Sequence, residues 1–177
     1  ILINSDFLNN MSVDLQHRLE IIQKELFEIM GHEFMLSSTK QLSDVLYTEL
    51  KLPKLKRTKT GYSTDAAVLD NLKQMIKHGQ AVDADPRSSY MIDGILEYRE
   101  LSKLKSTYVD ALPQLIDDST TRIHTKYNQT GSATGRVSSS DPNLQNIPVR
   151  TELGRKVRTA FIPRQDWLFV AADYSQI

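Results

Sequence analysis

The chain is expected to fold as an α+β protein, a run of amphipathic helices followed by a smaller α/β part, with the change of character near residue 120. Three observations carry this. Apolar residues recur at steps of three and four from Leu15 to Ile29 and again from Val68 to Ile76. A stretch rich in Gly, Ser, Thr, Asn and Pro runs from Gly131 to Pro148. A compact apolar run, Trp167 to Ala172, leads into Asp173. The first pattern is that of helix faces, the second of loop, the third of a strand buried in a sheet.

In chain order, Ser12 is a suitable N-cap for a helix whose seam is Leu15, Leu19, Ile22, Leu26 and Ile29, with Gly31 to stop it. Ser38 with Gln41 has the form of a capping box and opens a short helix through Leu42, Val45, Leu46 and Leu50, ending near Pro53. A basic, loop-like stretch containing Gly61 follows. Ser63 or Thr64 then caps a third helix, closed by Gly79. Asp85-Pro86 starts a fourth, running to about Asp110 and stopped by Pro113. Beyond residue 120, Arg122 to Asn128 alternates like a strand, and Arg155 to Ala160 reads as a short helix or strand. No internal repeat is evident.

At 177 residues the chain is one ordinary domain or two small subdomains, and its 40% hydrophobic content is enough for a core. Net charge is +0, so bulk composition does not announce nucleic acid, but the cations are clustered. Lys51 to Lys59 holds five bases and no acid, and Arg150 to Arg164 holds five against Glu152 alone. Such clusters form either a phosphate-binding face or an ordinary solvated run, and composition does not separate the two. The absence of cysteine excludes a disulfide scaffold and a thiolate metal site. No apolar stretch reaches the roughly 20 residues of a membrane span, and residues 1–10 lack a signal peptide pattern. The expectation is a soluble, intracellular protein.

Chemistry concentrates in two places. Asp173, at the end of an apolar run, is placed where a carboxylate can meet Mg²⁺, which takes oxygen ligands; an Asp capping the next turn would look the same. The stretch Thr130 to Arg150 has small residues that allow close backbone approach, with Arg136 after the second glycine. It lacks the Gly-Lys-Ser/Thr of a P-loop, which excludes that reading. Asn143, Gln145 and Asn146 offer amide donors suited to minor-groove acceptors, which every base pair presents at similar places. They could equally satisfy the backbone of a proline-containing loop. His124 is read as structural, with no metal partner spaced near it.

TGRVSSSDPNLQNIPVR (Thr134 to Arg150) followed by DYSQI (Asp173 to Ile177) resembles the palm of the family A DNA polymerases, those like bacterial polymerase I. MGHEFMLSSTKQL (Met30 to Leu42), TKTGYSTDAAVL (Thr58 to Leu69) and EYRELSKLKSTYVDALPQLI (Glu97 to Ile116) are similar to that family's thumb in order and spacing. The likeness covers nearly the whole chain after residue 10. It implies a mainly helical thumb region over 1–120 and the first strands of a palm over 121–177, ending within the first catalytic motif.

It further implies that Asp173 binds catalytic Mg²⁺, with the Tyr174 carbonyl joining it. Tyr174, Ser175, Gln176 and Ile177 would lie at the deoxynucleoside triphosphate. Arg136 would reach the minor groove near the primer end, with Asn143, Gln145 and Asn146 at the groove and template and Arg150 near the primer. Lys56, Lys59, Thr60, Ser63 and Thr64 would grip duplex phosphates, helped by a helix N-terminus, and Lys103, Lys105, Ser106 and Thr107 would hold the primer-template backbone.

The implied reaction is attack of a primer 3′-hydroxyl on an α-phosphate, expelling pyrophosphate, with Mg²⁺ as cofactor. Fingers, the second metal carboxylate and the rest of the palm are not recognised here. The expectation is therefore of a polymerase part, cytoplasmic and nucleoid-associated, inactive alone and completed by a second chain or a C-terminal continuation. The alternative is a stand-alone, non-catalytic DNA-binding module. A purely structural helical protein would explain the helices and not the second half.

Overall fold

The computed structural model describes residues 1–59 and 61–175, with Thr60, Gln176 and Ile177 outside the described residues. Six α-helices are formed among the described residues: α1 (Ser5–Met30), α2 (Thr39–Asp44), α3 (Ala66–Lys77), α4 (Ser88–Leu104), α5 (Ala111–Gln114) and α6 (Glu152–Thr159). Six short strands make three antiparallel two-stranded ladders: β1 (Leu2–Ile3) with β6 (Phe161–Ile162), β2 (Arg57–Thr58) with β3 (Gly61–Tyr62), and β4 (Lys126–Asn128) with β5 (Ser138–Ser140). The α+β expectation is met, with helices dominant. The packing divides into two compact units, one of Gln16–Ser102 and one of Ile1–Leu15 with Lys103–Ile177.

In the unit Gln16–Ser102 the helices follow the apolar seams. Leu19, Ile22 and Leu26 of α1 are buried, as are Leu42, Leu46 and Leu50, Leu69 and Leu72 of α3, and Met91, Ile92 and Ile95 of α4. Gly94 marks the tightest approach: a Cβ there would stand 2.7 Å from a Leu26 methyl. Ser38 caps α2 as expected, accepting from the Gln41 amide at 3.4 Å. The Gln41 side chain does not close the box on Ser38; it accepts from Met35 N at 2.7 Å. α2 passes into a π-helical turn, Val45–Glu49. The cap of α3 is Asp65, one or two residues past the expected Ser63 or Thr64. Gly79 closes the helix at φ +69°, as expected.

In the other unit, α1 begins earlier than its sequence seam suggested. Asn4, not Ser12, is the cap, its side-chain oxygen accepting from Phe7 N at 3.0 Å. Leu8 and Met11 carry the buried stripe back to that start. β1 is tied to β6 (Leu2 opposite Ile162, Ile3 opposite Phe161). α4 passes into a second π-helical turn, Lys105–Val109. Pro113 does not stop the helical run; it lies inside α5, in a first turn whose N–H groups need no intrahelical acceptor. The expected strand over 122–128 is confined to β4.

The larger departure is at 167–172. The expected buried strand is not formed: these residues have no regular structure, and Trp167 and Leu168 are 65% and 86% exposed. A strand needs a neighbour to satisfy its backbone, and no described strand runs beside this one. No helix among the described residues is long and apolar enough to cross a membrane.

His32 links two segments of the first-described unit. Its Nε2 lies 2.8 Å from a Glu49 carboxylate oxygen, and its Nδ1 lies 3.2 Å from the Glu33 carbonyl. The bond to Glu49, then that to Glu33, holds the imidazolium pKa above 6.5. A raised folded-state pKa gives stability that is complete below the unfolded value and lost as pH rises through the folded one. His32→Gln is therefore expected to lower the melting temperature more at about pH 6 than at about pH 8.5. An equal deficit at both would count against the pair.

Candidate nucleic-acid interface

The basic stretch of the unit Gln16–Ser102 is a hairpin with buried footings. Arg57 stands opposite Tyr62 and Thr58 opposite Gly61, and the Thr58 hydroxyl donates to the Gly61 carbonyl at 3.0 Å. Gly61 has φ +148°, a conformation that L side chains rarely adopt. Lys54 lies over the Tyr62 ring at 5.1 Å, and Tyr62 tilts against Tyr47 at 5.5 Å.

Below the hairpin, Ser63 and Thr64 are buried, not presented outward. The Tyr47 hydroxyl donates to the Ser63 carbonyl, and Arg99 donates to both the carbonyl and the hydroxyl of Thr64. Their side chains thus serve the protein's own scaffold. Lys56 is exposed and pairs with Asp65 at 3.6 Å. Arg57 and Lys59 are exposed and have no ion-pair partner among the described residues. The start of α3 carries the Asp65 carboxylate, held low by the Ser63 hydroxyl and Lys56, and it opposes an anion there. Thr60 lies outside the described residues.

In the other unit, the π-turn Lys105–Val109 sorts its motif. A π-turn holds one more residue than an α-turn and so widens the face it presents. Lys103, Ser106 and Thr107 are exposed. Lys105 is turned in: its ammonium meets Asp110 at 2.7 Å with its side chain only 18% exposed. Burial raises the Asp110 pKa, but Lys105 and the Ser12 hydroxyl, 2.6 Å away, outweigh it and hold the carboxyl below its usual value. Tyr108 is buried and donates to the Asn146 carbonyl at 2.5 Å.

The loop 129–150 is organised by hydroxyls. Thr125 Oγ1 lies 2.6 Å from Ser139 Oγ and donates to the Pro142 carbonyl at 2.7 Å; Ser139 also accepts from Leu144 N at 3.2 Å. Ser139, buried, is a hub joining β5 to the bend at Pro142. Gly135 turns the chain at φ +73° and Arg136 follows it, exposed and with no ion-pair partner among the described residues. Gln145 Nε2 donates to the Val137 carbonyl at 2.9 Å, drawing the amide segment against the neighbour of Arg136. Asn143 accepts from Gln145 N at 3.0 Å, an Asx turn. Asn146 is exposed, and its side chain has no hydrogen bond to another described residue. The Gln145–Val137 bond thus holds the segment of Asn143 to Asn146 beside the backbone that follows Arg136, with no contact between the Arg136 side chain and those amides among the described residues.

Arg150 is exposed just before Thr151, which caps α6 by accepting from Gly154 N at 3.2 Å. Asp173, Tyr174 and Ser175 are exposed and outside regular structure; Gln176 and Ile177 lie outside the described residues. No group of three or more His, Cys, Asp or Glu able to hold a metal occurs among the described residues. Mg²⁺ binds through carboxylates and substrate phosphates and gives up its water reluctantly, so Asp173 by itself does not fit a Mg²⁺ site. Sequence reasoning missed Tyr47, Arg99 and Tyr108. The signal that could have found the two tyrosines was a hydroxyl-bearing aromatic set beside core residues, Tyr47 next to Leu46 and Tyr108 next to Val109.

The chain belongs to the family A DNA polymerases: the model described as "DNA polymerase family A" matches residues 5–177. DNA polymerase I of Synechocystis sp. is 49% identical over the whole chain, which spans 17% of that protein. Thermostable DNA polymerase I of Thermus aquaticus is 50% identical over 97% of the chain, and the match is 19% of that protein. Among solved structures, the POL domain of Pol1 from M. smegmatis, in complex with DNA primer-template and dNTP, matches with TM-score 0.77 and 38% identity. That match covers 92% of this chain and 26% of the other. The chain thus spans less than a fifth of the curated relatives it matches.

Gly154 is the closest approach in this region: a Cβ there would lie 2.5 Å from Pro148 Cβ and 2.6 Å from the Pro148 carbonyl oxygen. Backbone must move to admit it, so Gly154→Ala is expected to cost about 1–3 kcal/mol in denaturant unfolding. Unchanged stability would show that α6 does not pack on the Pro148 turn.

Proposed function

We propose that this chain is the DNA-gripping part of a DNA-directed DNA polymerase, a thumb region over 1–120 and the start of a palm over 121–177. The observation that carries the reading is the loop in which the Gln145–Val137 and Ser139–Pro142 bonds hold the amides at 143–146 beside the backbone that follows Arg136. Donors fixed in one cluster can test minor-groove acceptors without reading sequence. Arg57, Lys59 and Lys54 of the hairpin take duplex phosphates, as do Lys103, Ser106 and Thr107 with Lys56 and Arg150. Ser63, Thr64 and Lys105 support those contacts from within. The likeness to a POL domain in complex with DNA primer-template and dNTP supports the reading.

Asp173 supplies one carboxylate, with Tyr174, Ser175, Gln176 and Ile177 beside an incoming nucleotide. Nucleotidyl transfer then needs further carboxylates and the fingers, from a C-terminal continuation or a second polypeptide. The exposed Trp167–Val170 run supports such a completion, since pairing it in a sheet would cover it. The working place is cytoplasmic, at the nucleoid. One observation favours a second reading, a non-catalytic DNA-binding module: Asp173 is exposed and belongs to no group of three or more His, Cys, Asp or Glu among the described residues.

Binding to a labelled primer-template is expected to weaken steeply with salt, because phosphate contacts release counterions. Arg57→Ala is expected to weaken it uniformly across sequences and flatten the log–log salt slope by about 1. Arg136→Ala is expected to cost more on primer-template than on blunt duplex, and equal losses would displace Arg136 from the primer end. Adding a polypeptide with the remaining palm and fingers is expected to restore primer extension that the chain alone lacks. Extension without it overturns the need for completion, and none with it favours the binding module.

A further inference from the structure

Of the three loop amides, Asn146 differs from its neighbours. Asn143 and Gln145 each spend a side-chain group on the loop itself, on Gln145 N and the Val137 carbonyl. Asn146 leaves its whole amide exposed, while the chain on either side is anchored. Its carbonyl accepts from Tyr108 at 2.5 Å, and Ile147 beside it is buried at 6% exposure.

Tyr108 is itself fixed. It is 6% exposed in the π-turn Lys105–Val109, where Ser106 and Thr107 face solvent, and Asp110 just after it is bound by Lys105 and Ser12. Burial pushes its phenol up, so the hydroxyl stays a donor through neutral and mildly alkaline pH. No other side chain donates to the Asn146 carbonyl among the described residues.

We propose that Tyr108 is a positioning residue that sets Asn146 for the minor groove and ties that amide to the backbone-holding turn at Ser106 and Thr107. The assignment rests on the DNA-binding reading above. In that turn the Ser106 and Thr107 hydroxyls are on the exposed side, open to phosphate, while the Tyr108 phenol is buried against the loop. A shift of the turn would then be felt at the base-pair edge. Groove probe and phosphate grip would act as one unit.

The test is a double-mutant cycle on the full chain, read by fluorescence anisotropy with a labelled primer-template at several salt concentrations. Tyr108→Phe keeps the ring and removes the donor; Asn146→Ala removes an exposed amide. Each single variant is expected to weaken binding by about 3–10-fold, the range of one hydrogen bond. The double variant is expected to be no weaker than Asn146→Ala alone, the signature of two groups acting through one contact. The salt slope is expected to stay unchanged, since no phosphate contact is removed. Losses that multiply in the double variant, or a flatter slope, would overturn the assignment and leave Tyr108 a packing residue.

Hydrogen exchange without DNA gives a second reading. Amides at 143–147 are expected to exchange faster in Tyr108→Phe, and unchanged exchange would also overturn it. Should the unaltered chain not bind primer-template, the DNA reading and this assignment fall together. Binding with multiplying losses removes the assignment alone.

Discussion

Hydrogen bonds from buried side chains to loop carbonyls carry both candidate surfaces. A segment that presents donors and cations outward cannot bury much apolar area, so burial does not hold its shape. Instead Tyr47 and Arg99 fasten Ser63 and Thr64 beneath the basic hairpin, and Tyr108 fastens Asn146. The Thr125–Ser139 hydroxyl pair fastens Pro142. Each donor is buried or partly so, where an unmade bond costs more than a made one gains. The loops are therefore held by the penalty for letting go.

Charge is distributed by the same logic. A chain of net charge +0 offers cations to a partner only where its own acids do not claim them. Lys56, Lys105 and Lys126 are paired with Asp65, Asp110 and Asp141, whereas Arg57, Lys59 and Arg136 have no ion-pair partner among the described residues. Pairing also divides roles within one motif. Lys105 is structural while its neighbours Ser106 and Thr107 face outward, and the half-buried Asp110 between Lys105 and Ser12 enforces that split. An exposed pair such as Lys56–Asp65 is worth little and can open for a phosphate.

Trp167 to Val170 and Asp173 show what a sheet would have to provide. The run is apolar and strand-like in composition, yet it stays exposed because strand hydrogen bonds belong to pairs of chains, not to one. Asp173 shares that position: a carboxylate at a strand end is aimed only when the strand is held. The Arg136 loop, braced within its own unit, needs no such help.

Helix seams were legible because the 3.6-residue period is local: Leu19 to Leu26 and Leu69 to Leu72 are buried as their spacing indicates, and Ser38 and Gly79 cap where expected. That Arg136 and Asn143 to Asn146 share one loop was likewise visible, since those residues lie within one short segment. Limits set by more distant partners were not. The start of α1, where Asn4 N also donates to the Ala160 carbonyl, the inward turn of Lys105 onto an Asp110 held by Ser12, and the unformed strand at Trp167 each depend on a neighbour outside the local pattern, whereas Pro113 is admitted by its place in the first turn of α5. The sequence by itself determined the family, the helical faces and the chemical types offered to a partner, because these are written in residue order. Only the tertiary structure decided which of those groups are free and which are anchors, because a donor's role depends on the acceptor that folding brings to it.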